Sequence, residues 1–420
     1  MRSDSWPAFR PIPAGEGKEA VMDEHDACGV VAVIDKRGKA GRQVVEAAWR
    51  ALVAMRHRAG EVAGEGDGTG LLLDLPRPLW AACLEEQGVA PDLATSPDFV
   101  VGHFFLPRRD VTRLQTGVRR ELVAAGLRIL AEREDFTARD ALGPQARVEE
   151  PLFWQVAAIP VAPPQPGLPT AGRQTLDQLD RRLLRAEVEI ERSLPIHVVS
   201  LSRHIVVYKV RGGPEALWGY YPDLASPRLT AIACIGHNRY STNTASTFAR
   251  VQPFSLLGHN GEINTIAQLR RQARFIGIEP CVEGSDSQDL NRLLAHLVFR
   301  DGLTLPEAME LLFPPIWHEV EQYRPEWQDL YRYLRNLFGP FAQGPAAVFA
   351  RAGDWLEFSV DAMGLRPLWR LETGATWVFS SEPGVVPLDV LVADPRPFAP
   401  GEKAAVRLGA EGCRLWEYPE

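Results

Sequence analysis

The hydrophobic pattern of the chain begins abruptly. Residues 1–27 are polar, contain Pro and Gly, and show no apolar periodicity, so they read as an unfolded or removable leader. At Cys28 the sequence turns into an apolar, β-branched run, Cys28-Gly29-Val30-Val31-Ala32-Val33-Ile34, which predicts a buried strand. Gly38 and Gly41 bracket a turn, and Val44, Ala48, Leu52 and Met55 then recur at helical spacing up to His57. A Gly-rich loop over 60–70 leads to a second buried strand at Leu71-Leu72-Leu73. Further strands are expected at 99–105, 152–159, 196–201, 204–210, 231–236, 254–258, 346–350, 356–360 and 376–380. Helical spacing appears at 111–125, 176–192, 264–275, 286–299, 305–312 and 319–338.

Strands dominate both ends of this order, and the helices gather in clusters instead of alternating one for one with strands. That argues against a doubly wound parallel sheet and for layered, mostly antiparallel sheets covered by helices, an α+β fold. The Pro-rich stretch at 161–167 is expected to be a loop or linker. No internal repeat is visible.

Composition narrows the function classes. A hydrophobic fraction of 45% and a charged fraction of 24% are those of an ordinary globular protein. No apolar run reaches the ~18–20 residues that span a bilayer, so no membrane association is expected. The leader has no apolar core and does not read as a secretory signal, which leaves the cytoplasm as the expected location. A net charge of −8 with mixed signs lacks the basic stripe of a nucleic-acid binder. The five cysteines, Cys28, Cys83, Cys234, Cys281 and Cys413, are scattered and form no CxxC pair. A disulfide framework, a zinc site and an iron–sulfur site within this chain are thereby disfavoured, and a lone reactive thiol is left open.

Four segments carry candidate chemistry. Cys28 opens the first buried strand directly after the leader. If the leader is removed after Ala27, one residue presents both a thiol and a free α-amine, whose unperturbed pKa of ~7.7–8.0 suits a general base near neutrality. Taken alone, Cys28 reads first as a small hydrophobe opening a core strand. In Ile235-Gly236-His237-Asn238-Arg239-Tyr240-Ser241-Thr242-Asn243-Thr244, one Arg stands among hydroxyls after a strand; its fork suits bidentate capture of a carboxylate, or a surface ion pair. In Leu257-Gly258-His259-Asn260-Gly261-Glu262-Ile263-Asn264, Asn260 and Gly261 form either a type I′ turn or the donors of an oxyanion hole. In Gly284-Ser285-Asp286-Ser287, Asp286 is either part of a helix cap or an acceptor for a substrate ammonium. The loop Gly64-Glu65-Gly66-Asp67-Gly68-Thr69-Gly70 lacks the Lys of a phosphate-binding loop and precedes a strand, so nucleotide binding is not expected there.

As an ordered set these segments are far more specific than any one of them. CGVVAVID, GHNRYSTNT, VQPF…LGHNGEIN and GSDS resemble the class II, N-terminal-nucleophile glutamine amidotransferases, and among these the amidotransferase domain of the glutamate synthase large subunit. MRHRAGEVAGEGDGTGLLL, SLSRHIVVYK, YYPDL, GPAAVFA, DAMGLRPLW and SSEPGVV extend the resemblance over roughly residues 26–388. It implies a four-layer αββα sandwich over 28–420, with 77–195 as a helical insertion. It also implies that Cys28 is the processed nucleophile and its own α-amine the base. Arg239, with Thr242 nearby, would bind the α-carboxylate of L-glutamine and Asp286 its α-ammonium. Asn260 and Gly261 would line the oxyanion hole. Departures from the family pattern fall at Ala59, where Gly is usual, at Ala362 and Met363, where Arg and Asn are usual, and at Phe248, near a position usually held by Trp.

A complete glutamate synthase also carries a flavin-binding synthase barrel and an iron–sulfur cluster, which have no counterpart here. Either the synthase half is a separate chain or the protein serves another ammonia-consuming enzyme; the expected partner is a synthase chain bearing FMN and the cluster, with no cofactor or metal expected in this one. Two other readings compete: an N-terminal-Cys amidase acting on a different amide, and a glutamine-sensing domain with little hydrolysis. The Arg239/Asp286 pair suits a free amino acid and weighs against the first; an unprocessed leader would favour the second.

Overall fold

The computed structural model describes residues 28–62, 64–161, 173–240, 246–281, 284–338 and 342–418. The expected leader and most of the Pro-rich 161–167 stretch lie outside the described residues.

The apolar run after Cys28 forms the strand Gly29–Asp35, buried along its whole length, as its lack of alternation demanded. It sits in the middle of a seven-stranded sheet, between Thr376–Ser380 and Ala233–Asn238. Thr69–Asp74 and Ile205–Val210 extend the sheet on one side, and Trp369–Glu372 with Arg396–Pro397 on the other. A second, five-stranded sheet runs in the order Leu257–Gly261, Ala346–Ala352, Trp355–Val360, Lys403–Arg407, Arg414–Tyr418. Every pairing in the two sheets is antiparallel.

Alternation along the second sheet decides what covers each face. Phe349 and Phe358 join the core formed with the first sheet, and Val348 and Ala350 pack with Leu290, Leu293 and Met309 of the helices Asp286–Ala295 and Leu305–Leu312. On the far side of the first sheet, the helix Arg42–Ala54 buries Val44, Val45, Ala48 and Leu52. The layer order is the expected αββα. Between the sheets, Phe358 stacks on Phe379 with ring centroids 3.9 Å apart and planes 12° from parallel.

The 77–195 region is not simply helical. Its helices Val111–Ala124 and Arg173–Ser193 lie on a four-stranded sheet ordered Leu127–Glu134, Leu152–Pro160, Val100–Leu106, His197–Ser202. The other face of that sheet, with Val101, Phe105, Phe153 and Val199, merges into the main core. Leu127–Glu134 escaped the sequence pattern because it is an edge strand whose charged residues stay largely accessible. Two other expectations shift. The 319–338 helix is two, Trp317–Val320 and Pro325–Phe338, because Pro325 can start a helix but not continue one. The strand expected at 254–258 falls instead at Leu257–Gly261, after a turn closed by Phe254 N–H donating to Leu257 O at 2.8 Å. This displacement carries Asn260 and Gly261 into the sheet.

Phe358 is fully buried. Removing its ring forfeits contacts on both sheets, so Phe358→Ala is expected to lower unfolding free energy by about 3–5 kcal/mol, read by denaturant titration.

Candidate active site

The register of two strands assembles the site. Gly29 pairs with Asn238, so Cys28, one residue before its strand, meets the chain just beyond Asn238. The Tyr240 N–H donates to Cys28 Sγ at 3.3 Å, and the thiol lies 3.5 Å from Tyr240 O. Gly29 sits in a tight place: a Cβ there would stand 3.2 Å from Met55 Cβ and 3.3 Å from Arg58 Cβ, so either neighbour would have to give way. Ala59 is extended (φ −87°, ψ 131°), a conformation that makes no demand for the usual Gly.

Cys28 is 9% exposed. Burial pushes its thiol above the usual range; the Tyr240 N–H and the charge of Arg239 pull it back, Asp67 raises it, and Arg366 lowers it. The thiol in this setting keeps its proton at neutral pH and needs a base to become a nucleophile.

Arg239 is 5% exposed and donates from Nη1 to Asp67 Oδ1 at 3.0 Å. Asp67 is itself buried; its N–H donates to Gly60 O at 2.7 Å, and its Oδ2 is without a hydrogen-bond partner among the described residues. A guanidinium oriented by one carboxylate keeps the planar fork needed to grip another. Asp67 was missed in the sequence because its Gly-rich loop was weighed only as a nucleotide loop. Gly60 approaches it closely: a Cβ there would lie 3.2 Å from Asp67 Cβ. Thr242 lies outside the described residues.

The tripeptide Gly-His-Asn occurs twice, at 236–238 and 258–260, on strands of opposite sheets. His237 Nε2 donates to His259 O at 3.0 Å and so ties the two sheets together beside the site. Burial pushes His237 down to about 3 and also lowers His259, so both imidazoles are neutral. The two asparagines differ completely. Asn238 Nδ2 donates to Leu52 O at 2.8 Å and Met55 O at 3.2 Å, closing the C-terminus of the Arg42–Ala54 helix, while its Oδ1 accepts from Thr69 Oγ1 at 3.1 Å. Asn260, fully buried, has neither amide atom hydrogen-bonded among the described residues. Burying an unpaired amide costs about 1–3 kcal/mol, which marks Asn260 as a group waiting for a ligand. The Asn260-Gly261 pair is no hairpin turn: both residues pair with Ala347 and Ala346 in the sheet. Gly261 has φ +125°, and a Cβ on it would lie 1.7 Å from Pro345 O, so only glycine fits.

Asp286 is not the helix cap. Ser285 takes that role in a full capping box with Gln288. Asp286 Oδ1 accepts from Ser287 N–H at 2.7 Å, and Oδ2 accepts from Ile263 N–H at 3.2 Å, which fastens the helix to the Asn260–Gly261 segment. A carboxylate has acceptor capacity beyond these bonds, and its charge stabilises the Arg239 guanidinium. Beyond it, the loop after Val360 is held by Asp361, whose carboxylate accepts from the backbone N–H of Ala346, Met363, Leu365 and Arg366 at 3.0–3.2 Å. The loop therefore needs nothing from the unusual Ala362 and Met363 side chains. Phe248 is buried edge-on against Phe105, with ring centroids 5.7 Å apart.

One thiol, one carboxylate-oriented guanidinium, one carboxylate and one unpaired buried amide thus come from segments more than 250 residues apart in the case of Cys28 and Asp286. The model of the family "Glutamine amidotransferases class-II" matches residues 28–411. This chain belongs to that family. It is 33% identical to ferredoxin-dependent glutamate synthase 2 of Synechocystis, over 94% of this chain and 26% of that protein. It is 31% identical to the glutamate synthase [NADPH] large chain of Azospirillum brasilense, over 92% of this chain and 26% of the relative. With the glutamate synthase [NADH] of Saccharomyces cerevisiae it shares 29% identity over 93% of this chain and 19% of the relative. The amidotransferase chain thus spans about a quarter or less of the length of these curated relatives. Its enzyme class is that of a class II glutamine amidotransferase, built on an antiparallel αββα sandwich. Among the described residues no group of His, Cys, Asp and Glu is placed to hold a metal, and no helix is long and apolar enough to cross a membrane.

The paired asparagines give a sharp test. Asn260→Ala is expected to lower kcat by about 10²–10³-fold while changing stability by less than about 1 kcal/mol. Asn238→Ala strips a helix end of its cap and is expected to cost about 2 kcal/mol or more in a denaturant titration.

Proposed function

We propose that the chain, cleaved after Ala27, hydrolyses L-glutamine to glutamate and ammonia through a γ-glutamyl thioester on Cys28. The ammonia passes to a separate synthase subunit of the glutamate synthase type. The observation that carries the reading is the buried amide of Asn260, unpaired among the described residues, on a strand that approaches the strand of a buried, protonated thiol.

In this reading Arg239 grips the substrate α-carboxylate, with Thr242 beside it, and Asp286 accepts from the α-ammonium. The α-amine of Cys28 takes the thiol proton, and Sγ adds to the γ-amide carbon. The oxyanion that forms is stabilised by Asn260 Nδ2 and the Gly261 N–H. The ammonium formed on Cys28 returns its proton to the leaving nitrogen, which departs as ammonia. Water then cleaves the thioester by the same path and releases glutamate. The amine is indispensable because burial keeps the thiol protonated, and while residue 27 remains attached that nitrogen is an amide without basicity.

The similarity to glutamate synthases supports a partner. Ammonia that escapes to water is protonated and lost as a nucleophile, so its consumer is a docked chain bearing FMN and an iron–sulfur cluster, in the cytoplasm. In this reading the amidotransferase chain itself needs no cofactor.

Intact mass and N-terminal sequencing of the chain from its native source test the processing. A terminus at Cys28, glutaminase activity, and loss of that activity in Cys28→Ser by at least about 10³-fold are expected. A native chain still beginning at Met1 that binds glutamine without hydrolysing it would replace this reading with that of a glutamine sensor.

The pH profile tests the base. The α-amine accepts a proton only when neutral, so kcat/KM is expected to fall about tenfold per pH unit below the amine pKa of ~7.7–8.0. Because burial raises the thiol, direct ionisation of Cys28 cannot supply activity on the acid side. A flat profile down to pH 6 would exclude the amine as base.

A further inference from the structure

One cavity bordered by described residues lies away from Cys28. It has a volume of about 880 Å³ and lies at the opposite end of the seven-stranded sheet, near Ile232 and Asp74. The length of the Gly29–Asp35 strand, roughly 20 Å at ~3.3 Å per residue, separates it from the nucleophile. The cavity opens where the three sheets meet. Its walls come from the end of the Thr69–Asp74 strand, the long helix Arg173–Ser193, the turn at Arg203-His204, and the hairpin joining the Ala346–Ala352 and Trp355–Val360 strands.

Five arginines line this cavity against three aspartates, in a protein whose net charge is −8. Three of the arginines are matched: Arg203 with Asp180 through bonds of 3.0 and 2.7 Å, Arg407 with Asp354 at 2.9 Å, and Arg351 with Asp74. The remaining two, Arg77 and Arg181, have no carboxylate within ion-pair distance among the described residues. Arg77 donates only to the carbonyls of Ala94 (2.8 Å), Ser96 (2.6 Å) and Arg203 (3.2 Å), and Arg181 only to Phe299 O at 3.3 Å. Arg351, 3% exposed, also keeps its Nε without a hydrogen-bond partner among the described residues. Burial lowers the Arg77 pKa and the neighbouring Arg203 charge lowers it further, while Asp74 acts in the opposite direction. Like charges gathered in a concave cleft focus their field on the space between them, and an oxyanion there relieves the repulsion. Guanidinium forks match carboxylate and phosphoryl oxygens equally well. Phe299, Leu303 and Trp355 add an apolar wall that suits a short carbon skeleton.

We propose that this cleft is a binding site for a small organic polyanion carrying carboxylate or phosphoryl groups, with Arg77 and Arg181 as its principal charge partners. It gives the 77–195 region a role: that region supplies Arg77, Asp180 and Arg181, and the catalytic sandwich supplies the opposite wall. A bound anion would clamp one to the other.

Isothermal titration calorimetry on the full chain at low ionic strength tests this, with citrate as the carboxylate probe and inorganic pyrophosphate as the phosphoryl probe. At least one is expected to bind with a millimolar or tighter Kd, and which one binds identifies the anion class. Arg181→Gln and Arg77→Gln are each expected to weaken that binding at least tenfold. Arg181 is exposed and makes a single bond, so R181Q should melt like the parent without ligand; it carries the test if R77Q, which strands three carbonyls, does not fold. Binding of neither probe, or binding that R181Q leaves unchanged, would overturn the proposal.

Discussion

The antiparallel pairing of Gly29–Asp35 with Ala233–Asn238 is the constraint on which the site depends. Because Gly29 stands opposite Asn238, Cys28 is delivered to the Tyr240 N–H and to the neighbourhood of Arg239. A slip of one residue would turn each side chain of the strand to the other face. Here it would also withdraw the thiol and break the fit of Gly29 against Met55 and Arg58. The register is held by more than the ladder. Asn238 fastens its strand to the end of the Arg42–Ala54 helix, and Val30 N–H donates to Ser381 Oγ at 3.1 Å on the other side. The strand that follows Cys28 is thus locked from both flanks.

Its chemistry depends on the second sheet being held at the right height. The His237–His259 bond sets that height from one residue before Asn238 and one before Asn260. Burial keeps both rings neutral, so the tie carries no charge that would compete with the substrate's. The same tripeptide then serves two ends. On the first sheet its asparagine is spent entirely on structure; on the second its amide is left unpaired among the described residues. A protein tolerates the cost of such an amide only where the surrounding fold is well determined, and here a glycine that admits no side chain and an aspartate bonded to Ile263 N–H supply that determination.

The third sheet changes how the molecule is organised. It is not an appendage with a separate core, because Val101, Phe105 and Phe153 share one core with the Gly29–Asp35 strand. Its junction with the sandwich concentrates arginines at the end of the sheet far from Cys28. Charge placed there is paid for by paired aspartates only in part.

Much of this was legible in the linear chain. The unbroken apolar run after Cys28 dictated a doubly buried strand, because no alternation means no solvent face. The ordered set of Cys28, Arg239, Asn260 and Asp286 dictated the family, because so many chemically constrained positions do not coincide by composition alone. What the sequence could not decide were matters of partnership. The two Gly-His-Asn tripeptides are identical as text, and only the packing shows that one asparagine is satisfied while the other is not. Ser285 and Asp286 were interchangeable as caps until Gln288 was seen to bond Ser285. Asp67 lacked any periodic signature, and its role follows from a 3.0 Å contact with a residue 172 positions away. The edge strand Leu127–Glu134 was hidden because its exposed face carries charges. Local pattern fixes which residues face inward; hydrogen-bond satisfaction and the field at a buried group depend on atoms distant in sequence, and only the tertiary structure brings those atoms together.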